Sequence, residues 1–137
     1  MKRCLLLASL LLSLNSQAQT FQTTSLTIGV HLIRAEVAIT DEERARGLMF
    51  REQLGHNDGM VFRFVNNGKV CMWMKNTLLP LSVAFIDEEG AIINIEDMAP
   101  QTLDPHCAKK PARYALEMNR GWFAKRKIEP GFRILGG

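Results

Sequence analysis

The chain has 137 residues, 47% of them hydrophobic, and 17 basic residues stand against 14 acidic ones. That length holds one ordinary domain with a real core, and the hydrophobic share is that of a globular protein. The small surplus of positive charge builds no basic face of the kind nucleic acid needs, so no nucleic-acid partner is expected.

Residues 1–18 read as a secretory signal peptide. Lys2 and Arg3 give a positive start, Cys4 to Leu14 form a short apolar run, and Ser16-Gln17-Ala18 supplies a small-x-small cleavage site. The run is about half of what a membrane-spanning helix needs (roughly 20 residues), so no stable membrane anchor is expected. Cys4 precedes the apolar run and is discarded with it. Cleavage after Ala18 removes two basic residues and leaves 15 against 14, a net charge of +1. The expected location is periplasmic or secreted.

Residues 19–24 are polar and read as a disordered N-terminal segment, and residues 25–137 as a single β domain. Leu26 to Ile28 and His31 to Ile39 flank Gly29 as two strands around a tight turn. Thr40-Asp41-Glu42-Glu43 is a capping box that opens a short helix, which Gly47 ends. Asn57-Asp58-Gly59 is a turn, Met60 to Phe64 a strand, Asn66-Asn67-Gly68 a hairpin turn, and Val70 to Met74 the next strand. Leu81 to Ile86 and Ala91 to Ile95 form strands on either side of the turn Asp87-Glu88-Glu89-Gly90. Residues 97–112 hold three of the five prolines and read as a long loop. Arg113 to Glu117 is a strand, Asn119 caps a short helix through Trp122 and Phe123, and Pro130-Gly131 turns the chain into a last strand, Phe132 to Leu135. Many short strands in meander order with two short helices predict a mostly β fold, a single-domain β-sandwich or jelly-roll-like partly closed barrel.

Several segments match a known pattern: Gly47-Leu48-Met49-Phe50-Arg51-Glu52, Gly59-Met60-Val61-Phe62, Trp73-Met74-Lys75-Asn76-Thr77, Pro80-Leu81 and Ala84-Phe85-Ile86-Asp87. Together they make the chain resemble the family called domain of unknown function 192 over roughly residues 25 to 135. The resemblance implies a compact β-sandwich or jelly-roll-like barrel and no activity. Two positions depart from the family's habit: Val83 where it often has Ile, and Ser82 where it often has Asp. The missing acid argues against acid–base work at that position.

The chemistry-bearing residues cluster in two stretches. Lys75, Asn76 and Thr77 put an ammonium, an amide and a hydroxyl at a strand end, where they can hold a small anion or a sugar. Trp73 offers a stacking face and Arg51 a further cation. These five are the expected ligand-binding residues, against the plainer reading that Asn76 and Thr77 satisfy turn backbone while Lys75 is solvated. Strand alternation also puts Met72 and Met74 on one face, as soft ligands for copper(I) or as gap-filling core thioethers. Cys71 and Cys107 in an oxidising compartment are expected to form a disulfide. The alternatives are two free thiols, or a zinc or copper site of Cys71, His106 and Cys107. Glu117 lies in the apolar run Ala115-Leu116-Glu117-Met118 and reads as an ordinary outward strand residue, of more interest if buried against Arg51 or Lys75. There is no Gly-rich phosphate loop and no recognisable Ser-His-Asp spacing, so no catalytic residue is named.

The expected function is a non-enzymatic binding or accessory protein for a small polar ligand or an envelope partner, with no cofactor. The alternatives are a soft-metal protein using Met72 and Met74 or His106 and Cys107, and, further back, a hydrolytic enzyme.

Overall fold

A computed structural model describes residues 20–136. The signal-peptide reading of residues 1–18 lies outside them. Among the described residues nine strands and two short helices follow one another: β1 (Gln22–Ile28), β2 (His31–Ala38), α1 (Asp41–Arg46), β3 (Asp58–Gly68), β4 (Cys71–Met72), β5 (Leu81–Ile86), β6 (Ile92–Met98), β7 (His106–Cys107), β8 (Ala112–Asn119), α2 (Trp122–Lys125) and β9 (Ile134–Gly136). Seven of them form one curled sheet in the order β6-β5-β8-β3-β2-β1-β9, and β4 pairs only with β7.

The sheet comes close to closing on itself. At one end β9 pairs with β1. The residues just before β9 and its first residue bond to the other end: Ala91 bridges Arg133, and backbone bonds run Gly131 N–H to Ile92 C=O (2.8 Å), Ile92 N–H to Phe132 C=O (2.9 Å) and Ile134 N–H to Gly90 C=O (2.9 Å). The partly closed barrel expected from the short strands is what the chain forms.

Alternation along β3, β5 and β8 sorts their side chains into two apolar layers. Val61, Ala84, Ile86, Leu116 and Met118 face the barrel interior, with Leu26, Ile28, Ile33, Ala35 and Ile92. Trp122 and Phe123 of α2, with Ile128, plug one end of that interior. Met60, Phe62, Leu81, Val83, Phe85 and Ala115 face outward with Met98 of β6, and segments bearing Phe21, Leu48, Val70 and Met74 cover them.

The capping box is present: Thr40 Oγ1 accepts from Glu43 N–H, and Glu43 Oε2 accepts from Thr40 N–H (3.0 Å). Five expectations are corrected. Residues 22–24 are not frayed but lie in β1, because Gln22 to Thr24 pair with Ala35 to Val37 and Phe21 is buried within the outer layer. Asn66 to Gly68 is not a hairpin turn; β3 runs on through it past a register shift to pair Gly68 with Ala112. The strand from Val70 stops at Met72, since its partner is the two-residue β7 inside the expected 97–112 loop. The order is not a plain meander, because β3 lies parallel to β2 after the α1 crossover. Finally, α2 has Gly121 at its N-cap, at φ 83°, with no side-chain cap. The amide of Asn119 donates instead to the carbonyls of Leu54 (3.0 Å) and Gly55 (3.1 Å).

Candidate functional site

A pocket of about 230 Å³ opens on the outer face of the sheet. Its floor is Phe62 of β3 and Glu117 of β8, and its walls are α1 with the turn to Met49 and the segment from Cys71 to Thr77. The walls are tied together. Phe50 N–H donates to Asn76 C=O (2.9 Å), and both residues hold positive φ, 63° and 52°. A bulky residue such as Phe rarely adopts that conformation, and such strain persists only where the surroundings enforce it. Bonds from Met74 N–H to Thr102 C=O and from Gln101 N–H to Thr77 C=O, both 3.0 Å, tie in the loop after β6. Cys71 and Cys107, directly opposite in the β4–β7 pair, form a disulfide that fixes the same wall.

Glu117 sits mid-sheet, paired with Met60 on one side and Val83 on the other. It is 4% exposed. Among the described residues no salt bridge or side-chain hydrogen bond reaches its carboxyl. Burial therefore pushes its pKa up to about 8, because desolvation penalises the charged form. At neutral pH the group keeps its proton and presents an O–H donor to the pocket. The other buried polar side chains are partnered. Asn94 holds Cys107 C=O and Lys109 N–H, Ser82 holds Asp97 and Gly121 N–H, and Thr77 Oγ1 donates to Lys75 C=O (3.1 Å).

Trp73 at the mouth is 49% exposed, and Lys75 Nζ stands 5.3 Å from its ring centroid. Arg44 and Arg46 also line the pocket. Arg44 is committed elsewhere, to the carbonyls of Ile39 and Arg63, to Asp41 and over the Phe64 ring. Lys75 and Arg46 are exposed and, among the described residues, form no salt bridge.

Of the five expected ligand-binding residues, Trp73, Lys75 and Thr77 meet at this pocket. Asn76 serves it through its backbone carbonyl, and its side chain is exposed. Arg51 goes elsewhere: its two terminal nitrogens bind the Glu36 carboxylate at 2.8 and 2.9 Å, beside a separate open groove. Of the expected soft ligands, Met74 is fully buried in the outer layer and Met72 packs against it while lining the pocket. His106 pairs opposite Met72, and Cys107 has its sulfur in the disulfide. Among the described residues no group of three His, Cys, Asp or Glu side chains is placed to hold a metal ion. Glu117 is buried, against the expected ordinary outward strand residue, and among the described residues it pairs with neither Arg51 nor Lys75. Its signal was there: an acid whose neighbours on both sides, Leu116 and Met118, belong to a buried strand.

A family profile named DUF192 and described as "Uncharacterized ACR" matches residues 23–136. No curated protein matches the chain. Two crystal structures share the fold. One is of a candidate transcription regulator from Sinorhizobium meliloti 1021, with TM-score 0.82 and 32% identity over 88% of this chain and 98% of that one. The other is of a protein of unknown function from Novosphingobium aromaticivorans DSM 12444, with TM-score 0.77 and 34% identity over 84% of each chain.

Proposed function

Since the chain belongs to the DUF192 family, which brings no activity with it, we propose from its own pocket that it is an exported binding module for a small polar ligand rather than an enzyme. The carrying observation is the Glu117 carboxyl at the floor of the pocket: among the described residues its oxygens take no protein partner, and none of the side-chain oxygens there is both sealed and unpaired, so they open to the pocket. A carboxyl on a largely desolvated side chain that still opens to a pocket is a donor to which a ligand oxygen can bond. Lys75 and Arg46 stand ready for an anionic end, and Trp73 offers a face on which a ring can stack. These groups together fit a hydroxylated carboxylate of sugar size. The charge near balance argues against nucleic acid. Export is supported by the signal-like first 18 residues and by the disulfide, which belongs to an oxidising compartment.

Calorimetric titration with D-glucuronate, D-glucose and inorganic phosphate, below the Glu117 pKa, tests the reading. Glucuronate is expected to bind and the other two to bind weakly. Trp73→Ala and Lys75→Ala should each weaken glucuronate by about tenfold, the scale of a lost charged hydrogen bond or stacking face. Raising the pH through the Glu117 value should release it. Flat traces for all three probes, or binding indifferent to Lys75→Ala, would end this proposal. For export, periplasmic protein should begin at Gln19; retention of Met1 would refute it.

A further inference from the structure

The barrel has two ends, and the described residues close one of them. Trp122, Phe123 and Ile128 fill the end near α2. At the other end the interior opens into a cavity of about 440 Å³, walled by Leu26, Val37, Val61, Ile86, Tyr114 and Ile134. Six strands contribute to that wall. Val37, Tyr114 and Ile134 belong to the interior layer yet stay only partly buried, because no element among the described residues covers them. A volume of this size with an apolar wall is that of a small-molecule site.

The rim carries charge of both signs. Arg63 follows Val61 by two residues on β3, so alternation brings it to the interior side, and it pairs across the sheet with Tyr114. Glu88 and Glu89 reach the same rim from the β5–β6 turn. All three charged side chains are exposed, and among the described residues none forms a salt bridge. The Tyr114 hydroxyl likewise has no partner among the described residues.

We propose that the open end is a second binding site, for a single-chain zwitterionic amphiphile. The apolar chain enters the barrel. Its anionic group meets Arg63 and the Tyr114 hydroxyl, and its cationic group meets Glu88 and Glu89. A head of one sign would satisfy one side of the rim and be repelled by the other. The site is separate from the Glu117 pocket, which lies on the opposite face of the same strands.

Three probes below their micelle-forming concentrations test this: decylphosphocholine, decyl sulfate and decyltrimethylammonium. Calorimetry is expected to show one decylphosphocholine bound per protein, at least about tenfold tighter than either singly charged probe. Val61→Phe fills the cavity and should abolish binding with the melting temperature unchanged. Arg63→Gln, at an exposed position, should leave the fold intact and erase the preference over decyltrimethylammonium. Lys75→Ala should change nothing here. Equal affinity for all three probes, no binding of any, or unaltered selectivity in Arg63→Gln would each overturn the proposal, the last even if Val61→Phe failed to fold.

Discussion

The two faces of β3, β5 and β8 are built from different side chains. The barrel interior is dominated by isoleucine: Ile28, Ile33, Ile86, Ile92 and Ile128. The outer layer relies on thioethers and rings, with Met60, Met74 and Met98 beside Phe21, Phe62 and Phe85, and Met72 and Phe64 packed against them. The reason lies in what each faces. Inside, one regular strand wall meets another, and stiff β-branched side chains at alternate positions fit that lattice. Outside, the wall meets loops with no repeat, and flexible methionines fill irregular gaps. The same irregularity leaves a pocket over one acid of the outer face, Glu117.

This contrast can be broken or sharpened by experiment. The largest effect should come from Glu117. The native carboxyl holds its proton up to about pH 8 while the unfolded one releases it near 4.5, so the native state binds more protons throughout that window. The Glu117 contribution to stability is therefore fullest below 4.5 and falls as pH rises towards 8, by about 1.4 kcal/mol per pH unit at most. Urea midpoints measured across that range should drop for the wild type and stay flatter for Glu117→Gln. Matching slopes would mean that the outer layer holds no such proton.

Next in size is the disulfide. Replacing Cys71 and Cys107 with serine opens a link of sequence separation 36, worth about 4 kcal/mol on the chain-entropy model. Hydrogen exchange should quicken first in the loops on the outer layer and leave the β1–β2 ladder protected. Uniform loss would show that the layers unfold as one.

Gly59→Ala should cost about 3 kcal/mol by overpacking, because a Cβ there meets the Met118 sulfur and the Glu117 carbonyl. Since that position presses on the β8 backbone shared by both layers, its thermal unfolding should stay a single transition at a lower midpoint. Thr40→Ala removes the cap of α1 and should cost about 1 kcal/mol, read as a small shift in the urea midpoint. It loosens one wall of the Glu117 pocket without touching the barrel.

Local signals were legible and long-range ones were not. The capping box at Thr40 and Glu43, the β1–β2 hairpin and the Leu81 to Ile86 strand follow from neighbouring residues. Trp73, Lys75 and Thr77 could be grouped because they lie in one short stretch. Pairing is harder to read, since any strand can accept several partners. Asn66-Asn67-Gly68 has turn composition, yet β8 continues the ladder past it. Arg51 was grouped with Lys75 because nothing nearby in sequence revealed Glu36, fifteen residues back on β2. Glu117 looked like an ordinary exposed strand residue because the segment that covers it, around Cys71 to Thr77, is some forty residues away in the chain.

The ring of strands has a consequence for the timing of assembly. β1 is among the first residues described and β9 among the last, yet they are neighbours in the sheet. A chain emerging N-terminus first presents β1 with one ladder satisfied by β2 and the other edge bare until Ile134 arrives. Joining elements so distant in sequence is slow compared with forming hairpins. Throughout that interval Gln22 to Ile28, with Leu26 and Ile28 still uncovered, is an open edge to which a second nascent copy can add.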